Sequence, residues 1–251
     1  MNPTLAAAAV GACLFGAVAL GIRLRGLIPD RHLGPESKDA MKLAMGLVAT
    51  MSALLLGLLL SSSKSGYDAE RKQVIQMAAK IAFLDRVLVL YGPEASNARA
   101  QFHAAVEDTV REIWPKERGR PAQLVPDIRA GNAVFEAIQS LSPRDDTQRS
   151  LKTEAIDLGI ELAQIRTLLV PESVSSISRP MLVVVVCWLV AIFLSFSLLA
   201  PPTPTATLAL IVSAGSVAGA FFLILELDQP FGGLIRIPST PMLNSVSQFT
   251  K

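Results

Sequence analysis

Phe221-Phe222-Leu223-Ile224-Leu225-Glu226-Leu227-Asp228-Gln229-Pro230-Phe231-Gly232-Gly233 is the stretch on which the fold turns. An apolar run long enough to cross a bilayer stops at two carboxylates, a proline, an aromatic and paired glycines. The apolar part belongs in hydrocarbon, whereas the acids call for water or a cation. Proline cannot continue a helix and the glycines permit a sharp reversal. A membrane helix therefore ends here, and the chain turns at its edge.

Moving outward, the whole chain is consistent with that assignment. Of its 251 residues 51% are apolar and only 18% charged, with a mean hydropathy of +0.45; soluble domains carry about a quarter charged residues. The net charge of +2 gives no electrostatic footprint for nucleic acid, so no nucleic-acid partner is expected. The two cysteines, Cys13 and Cys187, both lie in apolar runs and make no disulfide framework.

Uncharged runs near 5–22, 43–63, 181–200 and 203–225 each approach the roughly 20 residues that a spanning helix needs. The last two are separated only by Pro201-Pro202-Thr203-Pro204-Thr205, which predicts a tight hairpin. The fold class expected is therefore an all-α integral membrane protein: four transmembrane helices, with a soluble helical-bundle insert between the second and third. The boundaries read as 1–63 for the first two spans, 64–179 for the insert, 180–227 for the hairpin and 228–251 for a short tail rich in Ser, Thr and Pro.

The first run has a competing reading as a signal peptide, because Ala17-Val18-Ala19 resembles a cleavage site. No Lys or Arg precedes it, however, and Arg23 and Arg25 follow at once, which favours a retained helix. Arg23, Arg25, Arg31, Lys38 and Lys42 make the next loop basic and suit lipid headgroups, with Ser37 a candidate N-cap for the second span.

The second span carries Ala49, Ala53, Gly57 and Ser61 four residues apart, a stripe that lets helix backbones approach closely. The alternative is that part of this helix lines an ion pathway. Thr50 and Ser61 would then leave polar room, and Leu54 and Leu58 would form an apolar constriction that gates by dewetting. Gly215 and Gly219 form a second small-residue pair for packing, in the fourth span. Ser62 to Asp68 reads as the exit from the membrane.

Inside the insert, Val74, Met77, Ile81, Leu84, Leu88 and Tyr91 recur at 3-4 spacing and predict a helix packed in a bundle. Gly92-Pro93 ends it, and Pro93-Glu94 opens a second helix with Phe102, Val106, Val110 and Ile113 inward and Trp114-Pro115 at its end. Lys116–Pro126 reads as a loop. A third helix covers Pro126–Leu141 with Val134, Ile138 and Leu141 on one side. Leu151, Ala155, Leu158, Leu162, Ile165 and Leu169 mark a fourth. Acids and bases nearly balance across the insert, as suits a solvated bundle.

The sequence has two histidines, His32 and His103, and neither has a spaced partner for a metal. His103, beside Phe102, reads as a packed or surface residue. There is no phosphate-binding glycine-lysine loop and no Gly-x-Ser-x-Gly elbow. No enzyme activity, metal or cofactor is expected.

The order of these parts resembles a known family. Glu36-Ser37-Lys38-Asp39, Gly46-Leu47-Val48-Ala49-Thr50, Leu55-Leu56-Gly57-Leu58-Leu59, Ser63-Lys64-Ser65, Leu84-Asp85-Arg86, Tyr91-Gly92-Pro93-Glu94-Ala95, Trp114-Pro115 and Glu226-Leu227-Asp228-Gln229-Pro230-Phe231 together resemble the bestrophin-like bacterial membrane proteins catalogued as DUF4239. A more distant similarity, through Glu226-x-Asp228-x-Pro230-Phe231-Gly232, is to the bestrophin ion channels.

That resemblance implies a homo-oligomer, a pentamer in the bestrophins, around a pore lined mainly by the second span. It also implies inorganic ions as cargo, membrane lipid as surroundings, a bacterial inner membrane and a cytoplasmic insert. Glu226 and Asp228, with Lys64 as a basic neighbour, would form a charged site at the membrane edge. Calcium gating does not carry over, because the acidic run that follows Pro-Phe-Gly in calcium-sensing relatives is replaced here by Gly233-Leu234-Ile235-Arg236. The competing function is a non-conducting scaffold or sensor whose insert binds a protein partner.

Overall fold

The computed structural model describes residues 3–27, 34–114, 128–169, 178–201, 203–232 and 234–247. Among them the chain is helical, with no strand. Two units are built from interleaved stretches: Met1–Tyr67 with Ser175–Ile235, and Asp68–Val174 with Arg236–Lys251.

The first unit contains α1 (Pro3–Arg25), the apolar part of α2 (Pro35–Tyr91), α6 (Arg179–Leu199) and α7 (Pro204–Leu227). All four helices are long and apolar enough to cross a membrane. α1 packs against both α6 and α7. Leu14, Val185, Ala214 and Phe221 are fully buried at the centre of this core, and Val10, Ala17 and Val18 of α1 join them. Ala17 and Val18, two of the three residues that resemble a cleavage site, are thus core residues of the first unit, whereas Ala19 is exposed.

Gly21 sets the α1–α6 approach. A Cβ placed on it would stand 2.5 Å from the Ser197 Cβ and 2.8 Å from the Leu194 carbonyl oxygen. Ala17-x-x-x-Gly21 is a small-xxx-small pair of the kind that brings membrane helices together. The turn between α6 and α7 is short. Thr203 caps α7 by accepting the Ala206 N–H at 3.4 Å, and Pro204 occupies the first turn, where its missing N–H costs nothing.

α2 is a single helix of 57 residues that runs through the division between the units. The stretch expected to leave the membrane, Ser62 to Asp68, is helical throughout. It holds no proline, its one glycine is Gly66, and Glu70, Arg71, Lys72 and Gln73 beyond it are good helix formers, so nothing local breaks the helix. The start of α2 at Pro35 precedes the candidate N-cap Ser37, whose side chain, like the segment with His32 and Arg31, lies outside the described residues.

The second unit joins the rest of α2 to α3 (Ser96–Ile113), α4 (Ile128–Gln139), α5 (Asp146–Leu169) and α8 (Thr240–Ser247). All six members of the α2 stripe from Val74 to Tyr91 are buried, as are Phe102, Val106, Ile113, Val134, Ile138, Ala155, Leu158, Leu162 and Leu169. Gly92 ends α2 with φ 115°, a left-handed conformation that favours glycine. A 3-10 turn, Pro93–Ala95, precedes α3 where the sequence suggested that the helix itself began.

Asp145 caps α5 by accepting the Gln148 N–H at 2.7 Å, and Gln148 Nε2 donates to the Tyr91 carbonyl at 3.0 Å, joining the end of α2 to the start of α5. The expected loop Lys116–Pro126 lies outside the described residues. α8 is the element that composition concealed. Met242 and Ser245 on it are buried, Ser245 Oγ donates to the Ala78 carbonyl at 2.9 Å, and Trp114 Nε1 donates to the Ile237 carbonyl at 2.9 Å.

Candidate functional site: the open face of α2 and the turn after α7

Helical geometry divides the apolar part of α2 into two sides. Ser52, Leu59 and Ser63 are buried, and Met45, Val48, Leu55 and Leu56 pack partly against the first-unit core. On the opposite side Leu43, Leu47, Thr50, Leu54, Leu58 and Ser61 are exposed in the single chain, Leu54 at 75% and Leu58 at 59%. At about 100° per residue, Thr50, Leu54, Leu58 and Ser61 fall within an arc of about 80°. The Thr50 hydroxyl donates to the Leu47 carbonyl at 2.8 Å, so it is satisfied within its own helix.

The Ala49-Ala53-Gly57-Ser61 stripe rotates about 40° at each step of four residues. It passes from half-buried Ala49 at the edge of the core to exposed Gly57 and Ser61. A Cβ on Gly57 or on Gly219 would meet no other atom within 4 Å, and one on Gly215 would lie 3.9 Å from the Phe15 ring. The close approach inside the chain belongs instead to Gly21. Its signal, Ala17 four residues before it, is present in the sequence, although the small-residue pairs that the sequence singles out for packing lie in the second and fourth spans.

At the end of α7 the structure buries Glu226 completely. Its Oε1 accepts the backbone N–H of Leu234, while Oε2 has no hydrogen-bond partner among the described residues. Between them, the N–H groups of Asp228, Gln229 and Gly232 donate to the carbonyls of Ile224, Glu226 and Gln229, a succession of tight turns. Pro230 and Phe231 are buried and Asp228 is half-buried. Gly233 lies outside the described residues. Lys64 is exposed on α2. No group of three or more His, Cys, Asp or Glu among the described residues gathers closely enough to hold a metal ion.

The second unit holds a charged cluster that sequence reasoning missed. Asp85 on α2 accepts from Arg99 Nε at 2.6 Å and Nη2 at 3.1 Å, and His103 Nε2 lies 2.7 Å from its Oδ1. Burial by itself would raise the Asp85 carboxyl, but the hydrogen bonds and charges of Arg99 and His103 outweigh it and hold the group below the usual carboxylate range. The hydrogen bond to Asp85 in turn raises Arg99. Arg99 and His103 stand one helical turn apart on α3. That spacing is visible in the sequence, whereas their common partner across the Gly92 break is not.

Four long apolar helices, in a chain whose described residues hold no strand, define a membrane protein. The Bestrophin-like domain family model matches residues 12–242, and the chain belongs to that family. Its fold is similar to the crystal structure of a point-mutated bacterial bestrophin homolog from Klebsiella pneumoniae, with a TM-score of 0.65 and 15% identity over 94% of this chain and 97% of that one. No curated protein matches the chain.

Proposed function

We propose that the chain is one subunit of a homo-oligomeric ion channel in a bacterial inner membrane. Its pore is lined by the face of α2 that bears Thr50, Leu54, Leu58 and Ser61. Family membership supports a channel-like role, and the observation that carries the pore assignment is the open side of α2. An apolar helix face exposed in the single chain is covered either by lipid or by other copies of itself. The leucines Leu54 and Leu58, with hydroxyls above and below, suit a narrow, dewetting constriction between polar vestibules.

The small residues Ala53 and Gly57 at the edge of that face allow neighbouring subunits to pack closely, with Gly219 serving the same purpose on α7. Glu226 works structurally, holding the turn after α7. Asp228 is the carboxylate placed to influence inorganic ions at the membrane edge. A bundle insert on the cytoplasmic side completes the subunit, which has lipid, ions and its own copies as partners and performs no covalent chemistry.

Purified protein in liposomes should pass ions, and electron microscopy of the same sample should show a ring of subunits, five if it follows the bestrophins, with α2 innermost. Silent liposomes and a monomer would instead favour a scaffold whose insert binds a protein.

A further inference from the structure

We propose that the second unit binds a neutral amphiphile, one apolar chain with a small uncharged hydrogen-bonding head, in a cavity between α2, α3, α4 and α5. The cavity has a volume of about 470 Å³, within the range typical of small-molecule sites. Its walls include Ile81, Leu84, Phe102 and Ile138, all buried apolar side chains. Left empty, such walls lose the dispersion contacts that a close-packed interior supplies.

Two glycines keep the space open. Gly131 on α4 and Gly159 in the middle of α5 both line the cavity, and a Cβ on either would meet no atom within 4 Å. Glycine weakens a helix relative to alanine, and a helix glycine commonly permits a close backbone approach. Neither position has one. What both glycines leave is room, Gly131 at the exposed mouth and Gly159 half-buried on α5, and Ala105 on α3 and Ala163, one turn beyond Gly159, add to it.

The polar part of the lining assigns the head. Asn132 and Gln164 offer amides that both donate and accept, and Thr167, whose hydroxyl donates to the Ala163 carbonyl at 2.9 Å, offers an acceptor. Arg166, also in the lining, is already paired with Glu112 at 3.0 Å. With the Arg166 charge balanced by Glu112, a carboxylate gains no unpaired cation and an ammonium no carboxylate in the lining, whereas an alcohol or amide can bond to the side-chain amides of Asn132 and Gln164. This inference rests on the second unit alone and stands whether or not the protein conducts.

The test uses the full chain in lipid nanodiscs and three photoreactive probes with the same twelve-carbon diazirine chain: an alcohol, a carboxylate and an alkylammonium. Crosslinked peptides are mapped by mass spectrometry. The alcohol should label 102–109 and 159–167, should be displaced by unlabelled dodecanol, and should exceed both charged probes. Gly159→Leu combined with Ala163→Leu should lower that labelling about tenfold, the loss expected from blocking an apolar pocket, while labelling of the membrane helices stays constant. Should the double variant misfold, Gly159→Ala serves in its place, because it strengthens α5 while adding a methyl to the cavity: labelling should fall as thermal stability rises. Labelling confined to membrane helices, insensitive to the filling substitutions, or equal for all three heads would overturn the proposal, as would a preference for the carboxylate.

Discussion

The carboxylate of Glu226 reaches eight residues along the chain to accept the backbone N–H of Leu234, and it does so from a fully buried position. One side chain at the end of α7 thereby ties the Pro230-Phe231-Gly232 reversal closed from its N-terminal side. Glu226→Ala should leave the Leu234 N–H without this acceptor and cost on the order of 1–2 kcal/mol, read as a lower thermal midpoint in detergent and faster tryptic cleavage after Arg236. Glu226→Gln keeps an acceptor oxygen and should remain near the parent in both measurements. Equal loss in the two variants would mean that the negative charge, and not the hydrogen bond, holds the turn.

Gly21 offers a sharper packing test than any glycine in α2 or α7. Because its Cβ would overlap Ser197 and Leu194, Gly21→Ala should destabilise the first unit by about 1–3 kcal/mol, the usual cost of overpacking. Gly57→Ala should not lower the thermal midpoint of a dissociated subunit and should raise it slightly, since its Cβ meets nothing within the chain and alanine is the better helix former. Any effect of Gly57→Leu should appear as a smaller oligomer by native mass spectrometry.

The Asp85 cluster makes part of the stability acid-sensitive. With its carboxyl held below the usual range in the fold, the stabilising contribution is complete above about pH 4, the unfolded value. It disappears as the pH falls through the lower folded value. Asp85→Asn should cost on the order of 2 kcal/mol at neutral pH, and its unfolding midpoint should converge with that of the parent as both are taken towards pH 2. Parallel curves over that interval would contradict this account.

Much of this architecture can be read from the residues themselves. The four spans follow from uncharged length, and the α2 stripe from Val74 to Tyr91 follows from its 3-4 spacing, because a bundle helix must bury one face. What stayed hidden depends on contacts between distant segments. No local pattern links Asp85 to Arg99 and His103 across the Gly92 turn, or Glu226 to a backbone N–H beyond the glycines. α8 escaped because eight residues with two prolines close by carry little helical periodicity, and tertiary burial of Met242 and Ser245 stabilises it instead. Gly57 and Gly219 had the same four-residue spacing as Ala17 and Gly21, and sequence alone cannot say which pair meets a partner within its own chain.

If Leu54 and Leu58 form the constriction, making it polar should ease wetting. Leu58→Ser should raise single-channel conductance or open probability in planar bilayers, while Leu60→Ser, about 200° further round the helix, should leave both unchanged.

The most direct test of the central claim is the current carried by a Leu54→Cys variant in a background with Cys13 and Cys187 replaced by serine, before and after a charged thiol reagent. Both native cysteines are exposed and free, so their removal is required. The account predicts a steady current that the reagent blocks in Leu54→Cys and leaves untouched in the cysteine-free parent. Bilayers that stay silent, or a current indifferent to the reagent on a fully modified Cys at this position, would contradict it.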